Sequence, residues 1–166
     1  MLDNAMAITE QVMFEKCREI ELLCKELYDY FAELYSDNDD AVRLWRKTAM
    51  EEQNHANQFT LALKLRKDLP CTVLTNSTRV DSVLSQLRAL ITKVKAVRPN
   101  LADALNVSIK LEKHLAEFHI DSVARFENDS YRKMFNAMMS NDNEHIESLQ
   151  QEHNKLTTTC GAVSTD

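Results

Sequence analysis

Along the first part of the chain, apolar residues recur in steps of three and four. Phe14, Cys17, Glu21, Cys24, Tyr28, Phe31 and Tyr35 form one such stripe within residues 4–35, a stretch free of Gly and Pro. Steps of three and four keep residues on one helix face, so the pattern predicts an α-helix there. The run Ser36-Asp-Asn-Asp-Asp40 reads as a turn whose acids can cap the next helix. A second stripe holds Trp45, Ala49, Glu52, His55 (or Ala56), Phe59 and Leu63. It predicts a helix to about residue 67, with Lys64, Arg66 and Lys67 suiting the negative end of the helix dipole. Pro70 stops this helix, and residues 69–79 read as a crossover or loop.

Val80, Val83, Leu84, Leu87, Leu90, Ile91 and Val94 predict a further amphipathic helix over 80–97, serving as core cover or a dimer surface. Pro99 breaks or kinks it. A helix over about 100–126 carries Leu105, Ile109, Glu112, Leu115 (or Ala116), His119, Val123 and Phe126. After a turn at 127–130, a last helix runs to about Leu156 with Tyr131, Phe135, Met138, Asp142, His145 and Leu149. Four long helices and a connection of about 30 residues between the second and third describe an all-α bundle with one long crossover. Residues 1–157 make one domain, and 158–166 a mobile tail.

Composition narrows the picture. The 166 residues include one Gly and two Pro, where average usage gives roughly a dozen and about eight. Phosphate-cradling loops and tight β-hairpins both need glycine, so nucleotide-binding and sandwich folds are excluded. A net charge of -6 argues against nucleic acid or an anionic membrane as the main partner. No apolar run approaches the ~18 residues of a spanning helix. The opening residues show no basic region followed by an apolar core, so no secretory signal is expected. Cys17, Cys24, Cys71 and Cys160 form no CxxC pair. Cys17 and Cys24 would lie about 10.5 Å apart on a helix, too far to bridge. A reduced, cytoplasmic setting is the expectation.

The stripes also carry chemistry. Four run through a carboxylate in the middle of an apolar face: Glu21, Glu52, Glu112 and Asp142. Glu52-Gln-Asn-His55 and Asp142-Asn-Glu-His145 each place a carboxylate and an imidazole at i and i+3. That spacing puts both on one helix face, about 4.5 Å apart along the axis, where they can grip one metal ion. The register repeats. Glu21 precedes Glu52 by 31 residues and Glu112 precedes Asp142 by 30; Tyr28 lies seven after Glu21, and His119 seven after Glu112. Two helix pairs in this register would bring six groups to one level. Four carboxylates then balance two divalent ions. Without metal, such a cluster costs several kcal/mol per charge or takes up protons.

These residues resemble the ferritin-like superfamily of di-iron carboxylate proteins, and within it the rubrerythrin family. Glu21-Leu-Leu-Cys-Lys-Glu-Leu-Tyr-Asp-Tyr-Phe-Ala32 is similar to that family's first ligand segment, Ala49-Met-Glu-Glu52-Gln-Asn-His55-Ala to its second and Ile109-Lys-Leu-Glu112-Lys to its third. The resemblance covers roughly residues 10–155. It implies a ferritin-like four-helix bundle and a centre of two iron ions held by Glu21, Glu52, His55, Glu112, Asp142 and His145. The same ligands also accept manganese or a mixed pair. Tyr28, Cys24 and His119 are expected to support the ligands rather than bind metal. Glu52 and one carboxylate of the other half would bridge, with Glu21 terminal on one iron. Two positions depart from the family: Leu115 stands where it has a further Glu, and Asp142 where it has Glu.

The implied activity is an oxidoreductase of the peroxidase or oxidase type, acting in oxidative stress. Its oxidant would be hydrogen peroxide or dioxygen, and its electrons would come from a separate donor such as a rubredoxin. A homodimer is expected. Two other readings stand beside it: a ferritin-like ferroxidase for iron storage, and a metal-free helical scaffold or interaction module.

Overall fold

The structure is a computed structural model, and it describes residues 7–65, 72–123 and 129–161. In chain order these form strand β1 (Ala7–Thr9), helices α1 (Glu10–Leu34) and α2 (Asp39–Leu65), strand β2 (Thr72–Asn76), and helices α3 (Ser77–Val97), α4 (Leu101–Val123) and α5 (Asp129–Gly161). The fold is helical, as the periodicity predicts, apart from one antiparallel ribbon of β1 and β2. In that ribbon Ile8 pairs with Val73 and Thr9 with Thr72, and the register slips between Ala7 and Ile8. The ribbon corrects two expectations. The first helix starts at Glu10 rather than near residue 4, and part of the crossover over 69–79 is a strand that leads directly into α3. Thr72, Val73 and Thr75 are β-branched, which suits a strand.

The remaining boundaries have local causes. The turn after α1 is capped by Asn38, whose Oδ1 accepts from the Ala41 amide at 3.0 Å; the neighbouring acids sit inside the first turn of α2. Asn100 starts α4 in the same way, accepting from the Asp103 amide at 2.8 Å. Between α3 and α4 Arg98 adopts φ 51°, the left-handed conformation that glycine usually takes after a helix. The carbonyl of Pro99 accepts a hydrogen bond from the Tyr35 hydroxyl, which ties this corner to the end of α1. The last helix continues to Gly161, past the expected end near Leu156 and into the segment read as a tail. The Pro70 stop, Cys71, Phe126 and the first half of the turn at 127–130 lie outside the described residues.

Helices α1 and α2 pack along each other, as do α4 and α5. The pairs meet where α2 touches α5 and where Trp45 Nε1 on α2 donates to Ser108 Oγ on α4 at 3.2 Å. Helix α3 lies on α1. Its stripe, Val80 through Val94, is buried except for the half-buried Leu90 and joins the common core, so within this chain it serves as core cover. Lys16–Asp81, Glu19–Arg88 and Glu26–Lys95 pair along the α1–α3 edge. Such exposed pairs fix alignment more than they add stability, each contributing at most about 1 kcal/mol.

The core is layered along the bundle axis. Phe14, Tyr131, Phe59 and Phe135 form one aromatic layer, with Phe14 edge-on to Tyr131 at 4.9 Å and Phe59 edge-on to Phe135 at 5.4 Å. Phe31, Trp45 and Tyr35 form a second, with centroids 5.0 and 5.4 Å apart. Glu21 lies seven residues after Phe14, and Glu52 lies midway between Trp45 and Phe59. Seven residues span about 10.5 Å of helix, so the carboxylate level sits between two apolar plugs.

Candidate metal centre

Six of the buried polar side chains are the ones the sequence singles out. Glu21, Glu52, His55, Glu112, Asp142 and His145 are all at most 3% exposed, on α1, α2, α2, α4, α5 and α5. Each sits on its helix's apolar stripe, which must face the core, so the polar groups are carried in with it.

Two trios have donor atoms within 4.8 Å of one another: Glu21, Glu52 and His55, and Glu52, Glu112 and His145. Glu52 belongs to both. His55 Nδ1 is 3.1 Å from Glu52 Oε2 and 3.7 Å from Glu21 Oε2. His145 Nδ1 is 3.4 Å from Glu52 Oε1 and 3.4 Å from Glu112 Oε2. The two imidazole centroids are 6.3 Å apart. Each trio offers two carboxylates and one imidazole, a donor set suited to a divalent first-row metal.

Asp142 belongs to neither trio. Its Oδ2 lies 2.7 Å from His119 Nδ1, and His119 Nε2 is 3.2 Å from Glu21 Oε1. His119 therefore bridges two of the six groups across the bundle. Tyr28 holds the matching position in the other half and hydrogen-bonds to Glu112 Oε1. The shared offset of seven residues thus has a geometric meaning: each residue reaches the first carboxylate of the opposite pair. Asp142 is tied to the other acids through His119, which contacts both it and Glu21, and all four acids act on the Cys24 thiol. Burial pushes that thiol well up, and the charges of Glu52, Glu21, Glu112 and Asp142 push it further. Cys24 and Cys17 are buried free thiols, and neither joins a trio.

The electrostatics follow from burial set against pairing. Burial would lower the histidines, but the carboxylates outweigh it. Glu21 and Glu52 raise His55 to about 10, Asp142 and Glu21 raise His119 to about 10, and Glu112 and Glu52 raise His145 to about 11. Burial likewise works to raise Glu21, yet His119 and His55 hold it down at about 2. At Glu112 burial prevails, helped by the charge of Glu52, and the carboxyl rises to about 7. Metal-free, the cluster is a set of acids partly neutralised by imidazolium.

That neutralisation is incomplete in hydrogen bonds. Both oxygens of Glu21, one oxygen of Glu52 and His119 Nε2 are buried without a hydrogen-bond partner. Each of these oxygens has an imidazole nitrogen within 3.2–3.7 Å but no hydrogen bond, and a buried carboxylate oxygen left so is costly; all three belong to the trios. Hard oxygen donors that lack hydrogen bonds, beside imidazole nitrogens, fit a divalent cation.

Two neighbours escaped the reading of the sequence. Glu51 Oε2 contacts His145 Nε2, and Asn141 Nδ2 lies 3.3 Å from His55 Nε2. Both stand one residue before a stripe carboxylate and off the apolar face. The available signal was that position beside the carboxylate, on helices that pack against each other.

Among known proteins nothing matches this chain: no family model, no curated protein and no solved structure. The chain is a helical protein with a buried carboxylate–histidine cluster whose donor atoms lie close enough together that they could hold a metal ion. None of its described helices is long and apolar enough to cross a membrane.

Proposed function

We propose that this chain is a ferritin-like di-iron carboxylate protein of the rubrerythrin type. It would reduce hydrogen peroxide or dioxygen with electrons from a separate donor. The observation that carries the reading is the sharing of Glu52 between two trios of equal donor type. A carboxylate with one oxygen near each imidazole is placed to span two ions. A buried polar network with no metal role has no need of that arrangement.

Two iron(II) ions held by Glu21, Glu52 and His55 and by Glu52, Glu112 and His145 would supply one electron each, the two that reductive cleavage of a peroxide O–O bond requires. One peroxide, two electrons and two protons then give two waters. Glu21 and Glu112 hold the outer sides of the cluster. The Tyr28 hydroxyl donates to Glu112 and keeps that carboxylate oriented. His119 holds Asp142 close to the trios. The aromatic layers exclude bulk water along the axis, which strengthens every electrostatic contact between them.

The test is iron content, followed by stoichiometric oxidation. Wild-type protein from iron-supplemented cells is expected to carry about two iron ions per chain, and Glu52→Ala close to none. Reduced protein should consume one peroxide per pair of irons oxidised. Substoichiometric iron that Glu52→Ala leaves unchanged sinks the proposal. In that case the raised histidines describe a metal-free ion network, the scaffold reading. A cage-sized native mass would favour iron storage instead.

A further inference from the structure

The two trios are alike in donors but unlike in what stands behind them. His55 and His145 both turn Nδ1 toward the carboxylates, which leaves Nε2 to face away. His145 Nε2 meets Glu51 on α2, the residue before Glu52. His55 Nε2 meets Asn141 on α5, the residue before Asp142, at 3.3 Å. The relation is reciprocal. Each carboxylate-x-x-histidine helix presents, one residue ahead of its own carboxylate, the group that holds the other helix's histidine. Only the chemistry differs: a carboxylate behind His145, an amide behind His55.

We propose that Glu51 and Asn141 are paired positioning residues whose difference makes the two metal positions unequal, the Glu52–Glu112–His145 position binding its ion more tightly. This rests on the two-metal reading. A histidine that ligates through Nδ1 carries its proton on Nε2, and the group accepting that proton fixes both tautomer and ring orientation. Glu51 accepts as an anion. The charge-assisted bond is the stronger kind, and it makes the Nδ1 lone pair a better donor. Asn141 can accept only as a neutral amide, with its oxygen turned to Nε2; a half-turn of the side chain exchanges its oxygen and nitrogen. Both trios provide two carboxylates and one imidazole; their outer carboxylates differ in neighbour, Tyr28 at Glu112 and His119 at Glu21, and the backing group is the difference at the imidazoles themselves. Removing such a partner costs about 10–100-fold in metal affinity.

The experiment titrates the metal-free full chain with Co(II), following visible ligand-field absorption, with helicity checked by circular dichroism. Wild type should bind in two steps separated by about tenfold or more. Glu51→Gln should weaken the tight step by about tenfold and leave the weak step within about threefold, so that the steps merge. Asn141→Asp should strengthen the weak step by a similar factor. Combining the two changes should reverse which histidine's absorption bands appear first, as assigned with His55→Ala and His145→Ala. Two equal steps in wild type overturn the inference but leave the two-metal reading standing. So does a Glu51→Gln protein that weakens both steps alike, or neither. A folded wild type that binds no Co(II) overturns both.

Discussion

The trio of Glu21, Glu52 and His55 is built entirely by α1 and α2, two helices joined by a four-residue turn. The trio of Glu52, Glu112 and His145 draws on α2, α4 and α5 and exists only where the two helix pairs meet. The same donor types are therefore assembled once from a local hairpin and once from an interface. The difference teaches that equal ligands need not mean equal dependence on the fold. The local trio needs one hairpin. The spanning trio also reports whether the pairs are docked.

Single ligand deletions are the strongest way to break this comparison. His145→Ala is expected to remove the spanning position and His55→Ala the local one, each leaving about one ion per chain by metal analysis. The loss at the affected position should exceed the roughly 10–100-fold of losing an outer partner. If either change empties both positions, the trios are one indivisible site.

Next in size is the coupling of metal to stability. An ion held at a hundredfold excess over its Kd adds about 2.7 kcal/mol. Saturation should therefore raise the melting temperature by roughly 5–10 °C. Chelation should lower wild type by more than His145→Ala, which has no spanning ion to lose. Calorimetry with and without chelator measures this.

Smaller is the pH response of the metal-free protein. His55, His119 and His145 lie at about 10, 10 and 11, above the 6.5 of a free imidazole. Their contribution is complete below pH 6.5 and is lost as pH rises through 10 to 11. Glu112, raised from 4.5 to about 7, takes stability away as pH climbs between those values. Glu21, lowered from 4.5 to about 2, contributes above 4.5 and is lost as pH falls through about 2. The metal-free melting temperature should therefore peak near pH 4.5 and decline toward alkaline pH. Metal requires neutral imidazole and ionised carboxylate, so loading at pH 7 should release one proton from each ligating histidine and about half a proton from Glu112, roughly two and a half in all. Calorimetry in buffers of different ionisation enthalpy counts them.

The smallest effect is a control far from both trios. Arg98 holds a left-handed φ at an exposed corner, which costs a residue with a Cβ about 1–2 kcal/mol relative to glycine. Greater freedom in the unfolded chain offsets part of that. Arg98→Gly should stabilise by up to about 1 kcal/mol and leave metal stoichiometry unchanged.

Much of this is legible in the sequence. The stripes carry the helical period, and a carboxylate on a stripe has to enter the core with it; hence Glu21, Glu52, Glu112 and Asp142 are buried as the register requires. What escaped depends on side-chain reach and on non-local pairing. Asp142 keeps the company of His119 because a short carboxylate stops at the first donor it meets. Glu51 and Asn141 sit off the stripes, and only the contact of α2 with α5 turns them inward. The ribbon joins residues 7–9 to 72–76 through backbone bonds, which leave almost no periodic trace in three- and five-residue strands.

The placing of one trio within a single hairpin has a kinetic meaning too. Sub-global opening separates units along their least-bonded seams, and here the seam between the helix pairs runs through the spanning trio. Parting of the pairs would expose that ion while α1 and α2 kept theirs. In native-state hydrogen exchange, amides of α4 and α5 would then open on the schedule of one ion's departure, and those of α1 and α2 only with the second.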